Sequence, residues 1–126
     1  HQGKMIYIDF WGPWCPPCLA EMEPLKELRK KYSTDDIVFI SICRNDDRER
    51  YKQVLDKYGM HVDGIEHIHA DDLQAEDQVH KMYNQLNIDG IPYFFIINRE
   101  GVIVNYGSMM RPSYPGTAEC IEEWLE

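Results

Sequence analysis

The sequence contains no apolar run that approaches the about 20 residues of a membrane-spanning helix, and no repeat, linker or low-complexity segment. Basic residues are scarce as well, since 13 Lys and Arg stand against 22 Asp and Glu and give a net charge of −9. Such an acidic chain is poorly suited to nucleic acids or anionic membrane surfaces. With 126 residues, of which 44% are hydrophobic, it is long and apolar enough for one folded domain. We therefore predict a single domain over 1–126 that binds no nucleic acid.

Cysteines are few and unevenly placed. Cys15 and Cys18 are separated by two residues, whereas Cys43 and Cys120 each stand alone. A chain of this size does not need disulfide staples, so a redox or metal-binding pair is favoured over two structural bridges. A structural zinc site would need a second ligand pair, and a c-type haem site would need His where Leu19 stands. Redox chemistry is therefore the main hypothesis, and a copper- or zinc-handling module is the alternative.

The hydrophobic pattern alternates between stretches typical of buried strands and stretches with a helical period. The early strands should be parallel, while the last two should form an antiparallel hairpin at the edge of a mixed sheet. The fold class predicted is α/β, with three layers in the order helices, sheet, helices. We predict strands at 4–10, 36–43, 65–70, 93–97 and 102–106, and helices at 15–32, 46–58 and 75–86. A last helix should begin at a Thr117 cap and point Ile121, Trp124 and Leu125 inward.

The pair Cys15 and Cys18 directly follows the first predicted strand and opens the first predicted helix. A helix N-terminus supplies unpaired N–H groups and the positive end of the dipole, so we predict that Cys15 is an exposed, reactive thiolate. Cys18 should be shielded and within bonding distance of Cys15. This arrangement predicts thiol–disulfide exchange, in which Cys15 attacks a substrate disulfide and Cys18 resolves the mixed disulfide.

Two further residues near this pair call for an explanation. Asp9 lies among hydrophobic side chains in the first predicted strand, where a carboxylate costs free energy. It could accept the proton of Cys18, or it could merely cap a neighbouring backbone group. Pro24 lies inside the predicted helix 15–32 and should kink it.

The segment from Ile8 to Cys18 closely resembles the active-site segment of thioredoxin-fold proteins. Its Cys-Pro-Pro-Cys form resembles the TlpA/ResA-like branch, which comprises extracytoplasmic thiol–disulfide oxidoreductases of bacteria. A second match, Gly90 to Ile97, resembles the segment where this family places a cis-proline ahead of its hairpin. The resemblance extends from about Lys4 to the C-terminus and implies a thioredoxin-like fold without a metal or another cofactor.

The resemblance also implies roles for individual residues. A cis Pro92 and its neighbour Ile91 would face the sulfurs and offer backbone groups to an extended substrate. Glu21 and the two residues between the cysteines would tune the acidity and potential of the pair. The implied set comprises catalytic Cys15, Cys18 and Asp9, substrate-binding Trp14, Ile91 and Pro92, and tuning Glu21, Pro16 and Pro17.

The expected partners follow from the same resemblance: protein disulfides as substrates and a redox partner protein. The chain would act as a reductant in the periplasm or at the cell envelope, as a piece of a longer protein with a membrane tether or fused domain outside this sequence. The sequence departs from the family's pattern before Lys4, where the usual strand and helix are absent, so one sheet edge should be exposed or covered by something outside this sequence. Residues 44–70, a helix and a strand, resemble the family's insertion. A non-catalytic, peptide-binding thioredoxin-like domain is a further alternative.

Overall fold

The alternating pattern of the sequence folds into five strands and four helices in the computed structural model, which describes residues 3–44, 47–72 and 90–126. Short 3₁₀ turns follow β3 and β5. The helix predicted at 75–86 lies outside the described residues. Within them the elements are β1 (Met5–Trp11), α1 (Pro16–Ala20), α2 (Met22–Lys30), β2 (Ile37–Cys43), α3 (Arg48–Lys57), β3 (Ile65–His69), β4 (Tyr93–Ile97), β5 (Ile103–Gly107) and α4 (Pro115–Leu125).

The strands form a single mixed sheet in the order β3-β2-β1-β4-β5. β1, β2 and β3 run parallel, whereas β4 pairs antiparallel with both β1 and β5. The predicted mixed sheet flanked by helices is confirmed. β3, which belongs to the predicted insertion 44–70, pairs with β2 along its whole length and occupies the edge on that side.

The two faces of β1 bury different sets of side chains, because successive residues of a strand point to opposite sides. Tyr7 and Trp11 belong to a large cluster that also takes in buried residues of all four described helices. Ile8 and Phe10 belong to a second cluster on the other face, together with Phe95. Asp9 shares the face of Tyr7 and Trp11, so the alternation directs this acid toward the helices.

The single helix predicted at 15–32 is divided in two at Glu21, and it ends at Lys30. Pro24 explains the break, because its ring supplies no N–H for the Ala20 carbonyl and crowds it. Regular bonding resumes one residue later, where the Leu25 N–H donates to the Glu21 carbonyl at 2.9 Å. Glu21 thus stands at the junction of the two helices.

The last helix begins earlier than predicted. Pro115 is its first residue, where a proline costs no hydrogen bond, and Tyr114 holds the cap position. The prediction of Thr117 as the cap is wrong: its side chain is buried in the first turn and its hydroxyl donates to the Arg111 carbonyl at 2.8 Å. Ile121 is buried as predicted, but Trp124 is 40% exposed.

None of the helices within the described ranges is long and apolar enough to cross a membrane.

Candidate active site

Cys15 and Cys18 are joined by a disulfide at the start of α1, with their Cα atoms 5.2 Å apart. Cys15 is the N-cap residue, and its sulfur accepts the backbone N–H of Cys18 at 3.3 Å. Pro16 and Pro17 fill the first two helical positions and carry no N–H. The N–H of Cys18 is therefore the first backbone donor that this helix can offer to the Cys15 sulfur. From the sequence, several such donors were expected at the helix N-terminus.

Both cysteines are buried. Cys15 is 7% exposed and Cys18 is 3% exposed, so the prediction that Cys15 stays exposed is wrong. The Ile91 carbonyl oxygen, which lies 3.8 Å from Cys15 Sγ, helps to cover this sulfur. Cys15 is nevertheless the more exposed residue of the pair.

The loop before β4 brings two predicted site residues to the disulfide. The peptide bond between Ile91 and Pro92 is cis. The Ile91 carbonyl faces Cys15, and Pro92 lines a crevice shared with Cys18 and Asp9. The Pro92 carbonyl accepts the hydroxyl of Ser108 at 3.0 Å, which anchors this loop to the chain beyond β5.

Trp14 offers the most exposed large apolar surface next to the cysteines, with 56% of the residue accessible. Its ring lies against Gly12 so closely that a Cβ on Gly12 would stand 2.5 Å from two ring atoms. Only glycine permits this close approach at position 12. The backbone at Gly12 therefore helps to set where the Trp14 ring lies.

Asp9 lies beneath the pair, in the centre of the sheet. It is 7% exposed, and the hydroxyl of Ser41, its register partner on β2, donates to its Oδ1 at 3.0 Å. Burial raises the pKa of Asp9 from 3.8 to about 7, although the Ser41 hydrogen bond opposes the rise. A crevice of about 10 Å³ adjoins Asp9 and Cys18, roughly the room that one water molecule needs.

Tyr7, two residues before Asp9, is a buried member of this surrounding that the sequence did not single out. Its hydroxyl donates to the Met110 carbonyl at 2.6 Å. Burial raises the pKa of Tyr7 well above its ordinary value, and the nearby charges of Asp9 and Glu21 raise it further. Tyr7 therefore stays neutral and acts here as a hydrogen-bond donor.

Glu21, at the junction of α1 and α2, lines the same crevice as Asp9 and Cys18. Its two carboxylate oxygens accept the backbone N–H of Ser113 at 2.9 Å and the Ser113 hydroxyl at 2.8 Å. We call residues 108–113 the strap, because this segment between β5 and α4 is bonded to the site at three points. Its contacts are those of Ser108 with Pro92, Met110 with Tyr7, and Ser113 with Glu21.

Sequence reasoning missed Ser41, Tyr7 and the strap. The sequence did mark Ser41, because it is a polar residue in an apolar strand, just as Asp9 is in β1. It did not mark Ser113, since 92 residues separate it from Glu21. Across the described parts of the chain, no group of three or more His, Cys, Asp or Glu side chains is arranged to hold a metal ion.

Comparison with known sequences gives two findings. A family model described as thioredoxin-like matches residues 3–103. The thiol-disulfide oxidoreductase ResA of Bacillus thuringiensis is 26% identical over 103 residues, which are 82% of this chain and 54% of that protein. The chain thus spans about half the length of this curated relative.

Two solved structures from Bacteroides vulgatus, both provisionally named thiol-disulfide oxidoreductases, are similar over 98% of this chain. The crystal structure gives a TM-score of 0.77 at 30% identity, with 79% of that chain covered. The solution structure gives a TM-score of 0.73 at 36% identity, with 75% of that chain covered.

Proposed function

Because the chain belongs to the thioredoxin-like family, we propose that it is a thiol–disulfide oxidoreductase that reduces protein disulfides through Cys15 and Cys18. One observation carries the proposal: the bonded cysteine pair lies between a cis-proline loop and a buried carboxyl group whose pKa is raised to about 7. A group that titrates near neutral pH beside a dithiol is suited to moving a proton during exchange.

In the first step, the Cys15 thiolate of the reduced protein attacks one sulfur of the substrate disulfide. A bond forms between Cys15 and that sulfur, and the other substrate sulfur leaves as a thiolate that takes up a proton. The amide of Cys18, directed at Cys15 Sγ, favours the thiolate form of this sulfur.

In the second step, Cys18 gives its proton to Asp9 and attacks Cys15 Sγ. The bond between Cys15 and Cys18 re-forms, and the second substrate sulfur leaves as a thiolate that is then protonated. The crevice between Asp9 and Cys18 has room for one bridging water. Two electrons have then passed to the substrate, together with the proton that Cys18 gave to Asp9 and one proton from water, and a redox partner protein must return the two electrons to the pair.

Trp14, Ile91 and Pro92 form the proposed substrate surface. The ring of Trp14 is exposed, and the Ile91 backbone lies beside the sulfur that attacks. An extended polypeptide with an apolar side chain next to its cysteine would suit this surface.

The direction of electron flow and the cellular location are inferred from the resemblance to a family. The likeness to TlpA/ResA-like proteins supports a reductant in the periplasm or at the cell envelope, with a tether or fused domain outside this chain. Pro16 and Pro17 contribute to the potential, because both withhold an amide from Cys15. We also propose that 1–126 is one domain into which residues 44–70 are inserted.

The test compares wild type with Cys15→Ser in the reduction of a protein disulfide supplied with dithiothreitol. Cys15→Ser should lose the turnover above background, whereas Cys120→Ser, the same change at a half-buried residue of α4, should retain it. A redox titration of the wild type should give a reversible two-electron couple. Turnover that survives in Cys15→Ser, or stoichiometric copper or zinc binding without disulfide turnover, would contradict the proposal.

A further inference from the structure

The contact between Glu21 and Ser113 joins the helix junction to the strap. Both donors of Ser113, its N–H and its hydroxyl, are used on this one carboxylate. A carboxylate held by two hydrogen bonds has far less freedom than an exposed glutamate at a helix end normally has. The contact therefore fixes where the charge of Glu21 lies.

The fixed charge lies toward the reacting sulfurs. Glu21 lines the crevice together with Cys18 and Asp9, three residues after Cys18 in the chain. Its charge also reaches Tyr7 on β1, where it opposes ionisation of the phenol. Without the contact, the side chain could turn to solvent, where water screens its charge.

We propose that Ser113 is a positioning residue of the dithiol site: by clamping Glu21, it holds a negative charge beside Cys18 and so sets the pH at which this thiol ionises. The inference rests on the proposed function only for the use made of the thiol. It goes beyond that function in assigning a role to a strap residue that touches neither sulfur nor substrate.

The direction of the effect follows from the charges around the crevice. Asp9 lines the crevice from β1 and Glu21 lines it from the helix junction, while Tyr7, which is close enough to feel both charges, is neutral. The cation of the strap, Arg111, lies over the ring of Tyr114, 5.7 Å from its centre. Nearby negative charge disfavours a thiolate, so moving Glu21 away should lower the pH at which Cys18 ionises.

The experiment follows thiolate absorbance against pH in the reduced protein, in a Cys15→Ser, Cys120→Ser background. Cys18 is then the thiol of the crevice, and the buried Cys43 is common to every variant compared. Glu21→Gln should lower the titration midpoint by about one unit, since it removes a like charge next to the thiol. Ser113→Ala should lower it by about half a unit, because it loses the hydroxyl bond but keeps the N–H bond. Ser113→Thr retains both donors and should restore the wild-type midpoint.

Two variants separate positioning from a general loosening of the strap. Ser108→Ala removes the bond to the Pro92 carbonyl at the other end of the strap and should leave the midpoint in place. Adding Ser113→Ala to Glu21→Gln should cause no further shift, because both changes act through one carboxylate.

An unchanged midpoint in Ser113→Ala would overturn the proposal, and so would an equal shift in Ser108→Ala. A shift in Ser113→Ala that persists on the Glu21→Gln background would also overturn it, because the effect would then bypass Glu21. The titration needs no disulfide substrate. Failure of the proposed function would instead appear as absent turnover in the wild type, so the two failures are distinguishable.

Discussion

Two carboxylates line the crevice beside Cys18, and each accepts a hydrogen bond from a serine. Asp9 and Ser41 form what we call the floor, because both are buried in neighbouring central strands. Glu21 and Ser113 form the rim, where a helix junction meets the strap. The floor acid is buried and accepts one hydrogen bond from a hydroxyl, whereas the rim acid is half-buried and accepts two hydrogen bonds.

The difference shows how surroundings assign different tasks to similar groups. Burial disfavours the charged form of Asp9 and raises its pKa to about 7, so the floor can take up and release a proton. Glu21 is only half-buried and accepts two hydrogen bonds from Ser113, so the rim serves as a placed charge. The predictions below test this division, from the largest expected effect to the smallest.

Asp9→Asn should lower kcat/KM for disulfide reduction about 100-fold, since an amide cannot accept the proton of Cys18. The remaining activity should also lose the pH dependence that a group of pKa about 7 gives to the wild type. A pH–rate profile of both proteins checks this. Asp36→Asn is the matched control, because Asp36 directly precedes β2 and binds Arg99 rather than the site. Wild-type rates in Asp9→Asn would show that the floor carries no proton.

The free energy of unfolding of the oxidised protein should show how much the buried Asp9 carboxylate destabilises the fold. The pKa of Asp9 is higher folded than unfolded, so the folded state binds the extra proton and stability falls as the pH rises from 3.8 to about 7. Asp9→Asn removes this loss and should unfold less readily above pH 7, by up to about 4 kcal/mol. At pH values below the ordinary pKa of Asp, the two proteins should be alike. Denaturant unfolding at several pH values measures this, and a variant that is less stable above pH 7 would contradict the burial argument.

Ser41→Ala should have the smallest effect, a shift of the pH–rate profile to higher pH by about half a unit. The Ser41 hydroxyl stabilises the Asp9 carboxylate, so its loss should raise the pKa of Asp9 further. Ser33→Ala serves as the control, because its hydroxyl accepts an N–H in a surface turn after α2. A shift to lower pH would mean that Ser41 does not hold the charged form.

The sequence predicted where the strands lie and only part of how they pair. All five strands were placed within one residue at each end, because an apolar run marks a strand whatever lies beside it. Hydrophobicity does not say which strand pairs with which. That β3 occupies the edge next to β2 therefore became evident only from the sheet.

The site shows the same limit. The position of Asp9 under the cysteines follows from an acid in an apolar strand, and Ser41 could have been found by aligning the two strands in parallel. Ser113 could not, since nothing local marks a serine in a loop as the partner of a glutamate 92 residues away. The burial of Cys15 escaped prediction for a similar reason: its cover comes from the loop of Ile91.

The two prolines between the cysteines give Cys18 two separate tasks. Its side chain can attack Cys15, while its backbone N–H supports the sulfur of Cys15. A main-chain donor survives any side-chain replacement except proline. The sulfur at position 18 can therefore be removed without taking the hydrogen bond from Cys15, so resolution of the mixed disulfide is separable from stabilisation of the Cys15 thiolate at a single residue.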